Sequence, residues 1–199
     1  MIPPGVLVAW TTNDPAAAAD VRLGPVDSAR LLGLAPPQQA ALRNGRALLG
    51  RLLAELLGAE APSVDATSCQ HCSAPHGPVR AGSAHVSVAY AGPLVAVAAG
   101  RPDACAALGI DVELLTGDVA ARPQLSRFLG VAPELAVRRW TQVEAVLKAD
   151  GRGLRVDPGH VRLENGAAWI GGETTGYRVA DVDGPRDAAI SLAWAPAAG

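Results

Sequence analysis

The stretch RRWTQVEAVLKADGRGL, from Arg138 to Leu154, constrains the fold most. Trp140, Val143 and Leu147 fall at i, i+3 and i+7, one apolar stripe, which predicts a helix. Gly151 and Gly153 stop it, with Pro158 beyond, as a helix C-terminus requires. Glu144 and Lys148 stand four apart and are neighbours on that helix. Their plain reading is a solvated ion pair worth roughly 0.2–0.5 kcal/mol.

A second stretch gives those two residues more to do. In LGIDVELL, Leu108 to Leu115, the apolar Ile110 and Val112 alternate with Asp111 and Glu113. A strand would put both carboxylates on one face. Two acids on one strand face repel by roughly 4 kcal/mol at close range and an effective dielectric near 20. An exposed sheet edge relieves that through water. A hard divalent cation relieves it too, and asks for a third oxygen ligand, for which Glu144 is the candidate.

Together the two stretches resemble the surfactin-type 4′-phosphopantetheinyl transferases. That family is marked by a strand reading Gly-Ile/Val-Asp-x-Glu and, downstream, a helix reading Trp-x-x-Lys-Glu-Ala-x-x-Lys followed by Gly-x-Gly. Gly109, Ile110, Asp111 and Glu113 match the first motif, and Trp140, Glu144, Ala145, Lys148, Gly151 and Gly153 the second. Val143 stands where the family has a lysine; here it lies on the apolar stripe, which favours packing.

Composition bounds the rest. A chain of 199 residues makes one ordinary domain or two small ones. The residues are 49% hydrophobic but only 4% aromatic, so the core is built from Ala, Val and Leu. A formal charge of −2 argues against a general nucleic-acid binder. No apolar run approaches a membrane span, and no basic residue precedes the apolar Gly5 to Trp10, so no secretory signal is expected. The three cysteines, with no export signal, point to a reducing, cytoplasmic setting.

In chain order, Gly5 to Thr12 reads as a short buried strand, and Ala16 to Leu34, broken by Gly24-Pro25 and Gly33, as short helices. Pro36 to Gly58 is a strong helix with a broad leucine face. Its Arg43, Arg46 and Arg51 read plainly as a solvated basic face. Ser68 to Arg80 reads as a loop. Its Cys69, Cys72 and His76 fall one ligand short of a structural zinc site. Ala84 to Gly100 reads as a hairpin. Pro123 and Pro133 bound a Leu125-Phe128-Leu129 cluster before the main helix. Asn165-Gly166 and Asp183-Gly184-Pro185 are turn signals between strands after it.

The resemblance implies an α+β fold of two similar, pseudo-twofold subdomains, each a small sheet packed on a long helix, with the active site at their interface. The expected boundary divides residues 1–105 from 106–199. It implies Mg²⁺-dependent transfer of the phosphopantetheine arm from coenzyme A to a serine of an acyl or peptidyl carrier protein, releasing adenosine 3′,5′-bisphosphate. Asp111, Glu113 and Glu144 would hold the metal, Glu144 would accept the serine proton, and Lys148 would stabilise the leaving phosphate. Arg43 and Arg46 would grip the 3′-phosphate of coenzyme A, since the guanidinium fork suits phosphate oxygens. The partners implied are coenzyme A and a carrier, of fatty-acid, polyketide or peptide-synthetase type, with no nucleic acid and no membrane, for a monomeric enzyme. Arg122, Arg127, Arg138 and Arg139 are available to an acidic carrier helix or are ordinary surface charge.

Departures from the family pattern leave alternatives open. The basic residue expected after Gly77 is missing, with Arg80 the substitute. Ala89-Tyr90 stands where the family has Ser-His, and Tyr90 can donate a hydrogen bond but cannot become cationic. Hydrogen bonds to charged groups are worth roughly 1.5–3 kcal/mol each, so losing two or three weakens binding by orders of magnitude unless other groups replace them. A homologue that binds coenzyme A or a carrier without efficient transfer fits these losses. An unrelated Mg²⁺-dependent hydrolase would also use three acids and a lysine.

Overall fold

The computed structural model describes residues 1–16, 18, 20–58, 61–69, 72–75, 77–116, 122–173 and 176–197. The architecture is mixed α/β with several sheets. Its elements run β1 (Val6–Thr12), α1 (Pro25–Leu31), α2 (Pro36–Leu57), β2 (Asp65–Ala66), β3 (Val79–Arg80), β4 (His85–Ala91), β5 (Leu94–Gly100) and β6 (Cys105–Leu114). There follow α3 (Arg122–Leu129), α4 (Pro133–Asp150), β7 (Val161–Glu164), β8 (Ala167–Ile170), β9 (Gly176–Val182) and β10 (Ala188–Pro196). Among the described residues one sheet has the order β1-β5-β4, a second β6-β10-β9-β8-β7, and β2 pairs with β3. No described helix is long and apolar enough to cross a membrane.

Side-chain alternation builds three apolar layers. On β5 every residue is buried, because both faces are covered. Val95, Val97 and Ala99 meet Leu48, Leu49, Leu52 and Leu53 of α2. Leu94, Ala96 and Ala98 point the other way, against Ile110 and Val112 of β6 and Ile190 and Leu192 of β10. The opposite face of the larger sheet, including Ala193, Ala195, Ala168 and Tyr177, packs on Val143, Val146 and Leu147 of α4. The order of layers is therefore α2, first sheet, second sheet, α4.

The two sheets also meet edge to edge. β4 and β6, each at the edge of its sheet, lie against one another, and the Ser87 hydroxyl accepts a hydrogen bond from the Ile110 amide at 3.0 Å. On the first sheet's other side, Trp10 Nε1 donates to the Asp183 carbonyl at 3.0 Å.

Several sequence expectations hold: the strand near the N-terminus, the leucine helix, the hairpin of β4 and β5, and the turns after α4. Asn165 and Gly166 sit at φ 49 and 76, the left-handed pair that a tight hairpin needs. Other expectations need correction. β1 is an edge strand, so of its residues only Val6 is buried and Trp10 remains 40% exposed. Ala16 to Leu34 yields α1 alone among the described residues. The Leu125-Phe128-Leu129 cluster is itself a helix, α3, with Pro123 in its first turn and Gly130 at φ 64 just past its end. The main helix starts seven residues before Trp140, the first residue of its apolar stripe, with Pro133 in its first turn.

Candidate functional site

On β6 the residues Gly109, Asp111 and Glu113 share the face that looks at α4, while Ile110 and Val112 fill the core between the sheets. α4 comes very close to this face. A Cβ placed on Gly109 would lie 2.1 Å from the Ala145 carbonyl oxygen and 2.4 Å from the Ala149 nitrogen. Only glycine admits a helix backbone at that distance. The opposing strand helps by being small: Ala189, Ser191 and Ala193 lie across from Glu113, Asp111 and Gly109. The close approach brings Lys148 Nζ to within 2.7 Å of Asp111 Oδ1, so the two sequence motifs meet here.

Electrostatics mark this corner as acidic and poorly hydrated. Burial pushes the Asp111 carboxyl above its ordinary range, and the Lys148 ammonium pulls it part of the way back. The Glu113 carboxyl is raised by burial first, then by the charges of Asp111 and Glu144. Glu144 is raised by burial and by Asp111. The three carboxylates therefore feel one another across a common space, with Lys148 opposing all three shifts. Asp111 Oδ2 is buried with no hydrogen-bond partner. An orphaned carboxylate oxygen beside two mutually repelling acids is an oxygen-only donor set, which fits Mg²⁺. Among the described residues, no three His, Cys, Asp or Glu side chains are drawn together as a ligand shell.

Lys148 and Leu147 open onto a cavity of about 370 Å³ that lies between β4 and the C-terminal end of α4. Gly151 and Gly153 line it beyond α4, Val88 and Tyr90 of β4 form its floor, and Arg30 and Arg46 its far side. Arg46 is held in place by a relay of local structure. Gly24 lacks the side chain that would clash with Asp65, whose carboxylate accepts hydrogen bonds from the amides of Val26 (3.1 Å) and Asp27 (2.8 Å) and so caps α1 from β2. That fixes Asp27, which is fully buried and takes Arg46 in a fork, through Nε and, at 2.7 Å, through Nη2. Arg46 Nη1 is buried with no well-formed hydrogen bond, and the nearby Tyr90 hydroxyl interacts with this guanidinium.

Tyr90 completes that wall. The ring is 37% exposed while its hydroxyl is sunk over the backbone of α2, 2.8 Å from where a Cβ on Gly45 would be. Burial of the hydroxyl raises the Tyr90 pKa, against the pull of the Arg46 and Arg30 charges. Tyr90 and Arg30 also border a second cavity of about 300 Å³ beside Leu34 and Leu42.

Of the residues put forward from sequence, Asp111, Glu113, Glu144 and Lys148 share one corner, and Arg46, Tyr90 and Lys148 line one cavity. Arg43 turns elsewhere, its Nη1 donating to the Val21 carbonyl at 3.4 Å. Arg80 is exposed on β3, paired in register with Asp65. Arg138 pairs with Asp181 at 3.3 Å, and Arg139 donates to the Leu163 carbonyl at 3.4 Å. His76 lies outside the described residues; next to Cys72, the Ser73 amide donates to the Cys69 carbonyl at 2.9 Å. Sequence reasoning missed Asp27 and Arg30. Their three-residue spacing before a Pro-Pro helix start is the signal that could have drawn attention to them. Compared with protein-family models and with curated protein sequences, the chain matches none.

Proposed function

We propose that this chain is a 4′-phosphopantetheinyl transferase acting on coenzyme A and the serine of an acyl or peptidyl carrier protein. The reading is carried by one observation: the Asp111–Lys148 contact, which joins the acid strand to the Glu144 helix at the mouth of a cation-lined cavity. In this reading the two sheet-and-helix units are pseudo-twofold subdomains, with boundary near residue 105, and the enzyme is a cytoplasmic monomer.

The chemistry follows from the residues. The cavity receives the nucleotide end of coenzyme A, with Nη1 of Arg46 and the Arg30 guanidinium as partners for phosphate oxygens. Glu144, whose proton affinity burial has raised, takes the proton of the carrier serine. The serine oxygen forms a bond to the β-phosphorus of coenzyme A, and the bond from that phosphorus to the bridging oxygen breaks. Lys148 stabilises the negative charge left on the departing adenosine 3′,5′-bisphosphate. Mg²⁺ held by Asp111, Glu113 and Glu144 would supply charge neutralisation on the diphosphate.

Mass spectrometry of apo carrier proteins incubated with coenzyme A, Mg²⁺ and this protein tests the reading. A carrier gaining the phosphopantetheine mass, with no gain for Lys148→Met, is the expected result. No gain on fatty-acid, polyketide or peptide-synthetase carriers overturns it. A second reading, a homologue that binds without transferring, is favoured by the engagement of two Arg46 nitrogens by Asp27. Calorimetric coenzyme A binding that is tight yet unaccompanied by transfer would select it. Hydrolysis of coenzyme A to free phosphopantetheine without a carrier would select a hydrolase.

A further inference from the structure

The last residue of α4 is an aspartate, at the helix end where the macrodipole disfavours negative charge. Its surroundings explain why it is tolerated. Asp150 has a side chain only 7% exposed, and four donors meet it. The Arg152 side chain forks onto it, Nε at 2.6 Å and Nη2 at 2.9 Å. The Arg152 amide reaches it at 3.3 Å and the Tyr177 hydroxyl at 3.1 Å. Arg152 Nη2 also reaches Glu173 at 2.7 Å. Arg152 is the main cause that holds the Asp150 carboxyl below its usual range, and burial beside that carboxylate pushes Tyr177 up to about 12.

The chain beyond Asp150 is a short glycine-bracketed turn, which Arg155 also holds through Nε on the Arg152 carbonyl at 2.8 Å and Nη2 on the Gly151 carbonyl at 3.2 Å. Gly151 and Gly153 both have left-handed φ, 83 and 58, and both line the cavity next to Lys148. Two glycines flanking one residue give a turn with little stiffness of its own. The Asp150 carboxylate ties that turn to Tyr177 on β9 and, through Arg152, to Glu173 just before it.

We infer that Asp150 is a positioning residue: it fixes the Gly151–Gly153 turn as a rigid wall of the cavity, and so sets affinity for the ligand's phosphates without touching the reacting atoms. The assignment of that ligand as coenzyme A rests on the transferase reading above. Loss of a wall that acts equally on bound substrate and transition state appears in KM and not in kcat.

The test has two arms, on Asp150→Asn and, because a buried change can disturb folding, on the half-exposed Arg152→Ala. The exposed Asp103→Asn serves as control. The first arm needs no ligand: amide hydrogen exchange of residues 151–156 should quicken about tenfold in both variants, with α2 and β5 unchanged. In the second arm KM for coenzyme A should rise about tenfold while kcat stays within about twofold. Unchanged exchange in residues 151–156 overturns the anchor. Quickened exchange with unchanged KM, or a fall in kcat at constant KM, overturns the positioning role. Wild-type protein that neither binds nor transfers coenzyme A sinks the transferase reading itself, a result distinct from variants that match an active wild type.

Discussion

Gly109→Ala is the substitution with the sharpest expected outcome. The added methyl would sit 2.1 Å from the Ala145 oxygen, 2.4 Å from the Ala149 nitrogen and 3.0 Å from the Lys148 carbonyl carbon. All three atoms are helix backbone, so no rotamer change makes room, and α4 must withdraw by about 1 Å. Overpacking typically costs about 1–3 kcal/mol, and contact with three backbone atoms of one helix puts this case at about 3 kcal/mol. For a chain of this length that is a fall in Tm of about 6–12 °C by calorimetry or circular dichroism. The same withdrawal moves Lys148 off Asp111, and under the proposed transferase reading a 1 Å displacement of this group should cost roughly 100-fold in transfer rate. Gly172→Ala, with nothing within 4 Å of the new atom, is the matched control. A Gly109→Ala protein melting within about 2 °C of wild type would refute the reasoning, because the close approach of helix and strand would then not be rigid.

Gly50→Ala should act in the opposite direction, raising stability by about 1 kcal/mol in a denaturant titration, since Gly50 is an exposed position inside α2 with nothing within 4 Å of the new methyl. Asp27→Asn leaves the Arg46 charge buried and should cost about 3–5 kcal/mol, whereas the double change Asp27→Leu with Arg46→Met should recover most of it in the same titration. Glu113→Gln should raise Tm at pH 7–8 when divalent cations are absent. The folded state raises the Glu113 pKa, so this group's stabilising contribution is complete below its unfolded value, near about 4.3, and is lost as pH rises through the folded value. The advantage of the variant should therefore vanish by about pH 4. Mg²⁺ at neutral pH should stabilise wild type more than the variant; a variant less stable than wild type at pH 7 would contradict the sign.

What could be read from the sequence was whatever local period governs. Period two on β6 separated Ile110 and Val112 from Asp111 and Glu113, and the helical stripe of Val143 and Leu147 oriented Glu144 and Lys148 away from the core. The Asn165-Gly166 turn was legible because only such pairs accept two left-handed residues. The helix α3 was passed over although Pro123 and Gly130 punctuate it, since its apolar residues are too few to form a stripe and Phe128 stays 53% exposed. The partner of Arg46 was invisible for a different reason. Asp27 lies 19 residues away on a seven-residue helix whose placement depends on Asp65 from a third segment, so no local pattern encodes the contact. Arg43 and Arg46 look equivalent in sequence, three apart on one helix, and only the docking of α1 distinguishes the buried fork from the outer cation.

β10 lies between β6 and β9, yet it follows both of them in the chain. When β6 leaves the ribosome it has its acids and its glycine but lacks the strand that will flank it until residues 188–196 follow. During synthesis the acidic corner is therefore an open edge for the whole time that α4 and the later hairpins are being translated. A stop or frameshift between α4 and β10 would leave β6 without that partner even though Asp111, Glu113, Glu144 and Lys148 have already been translated.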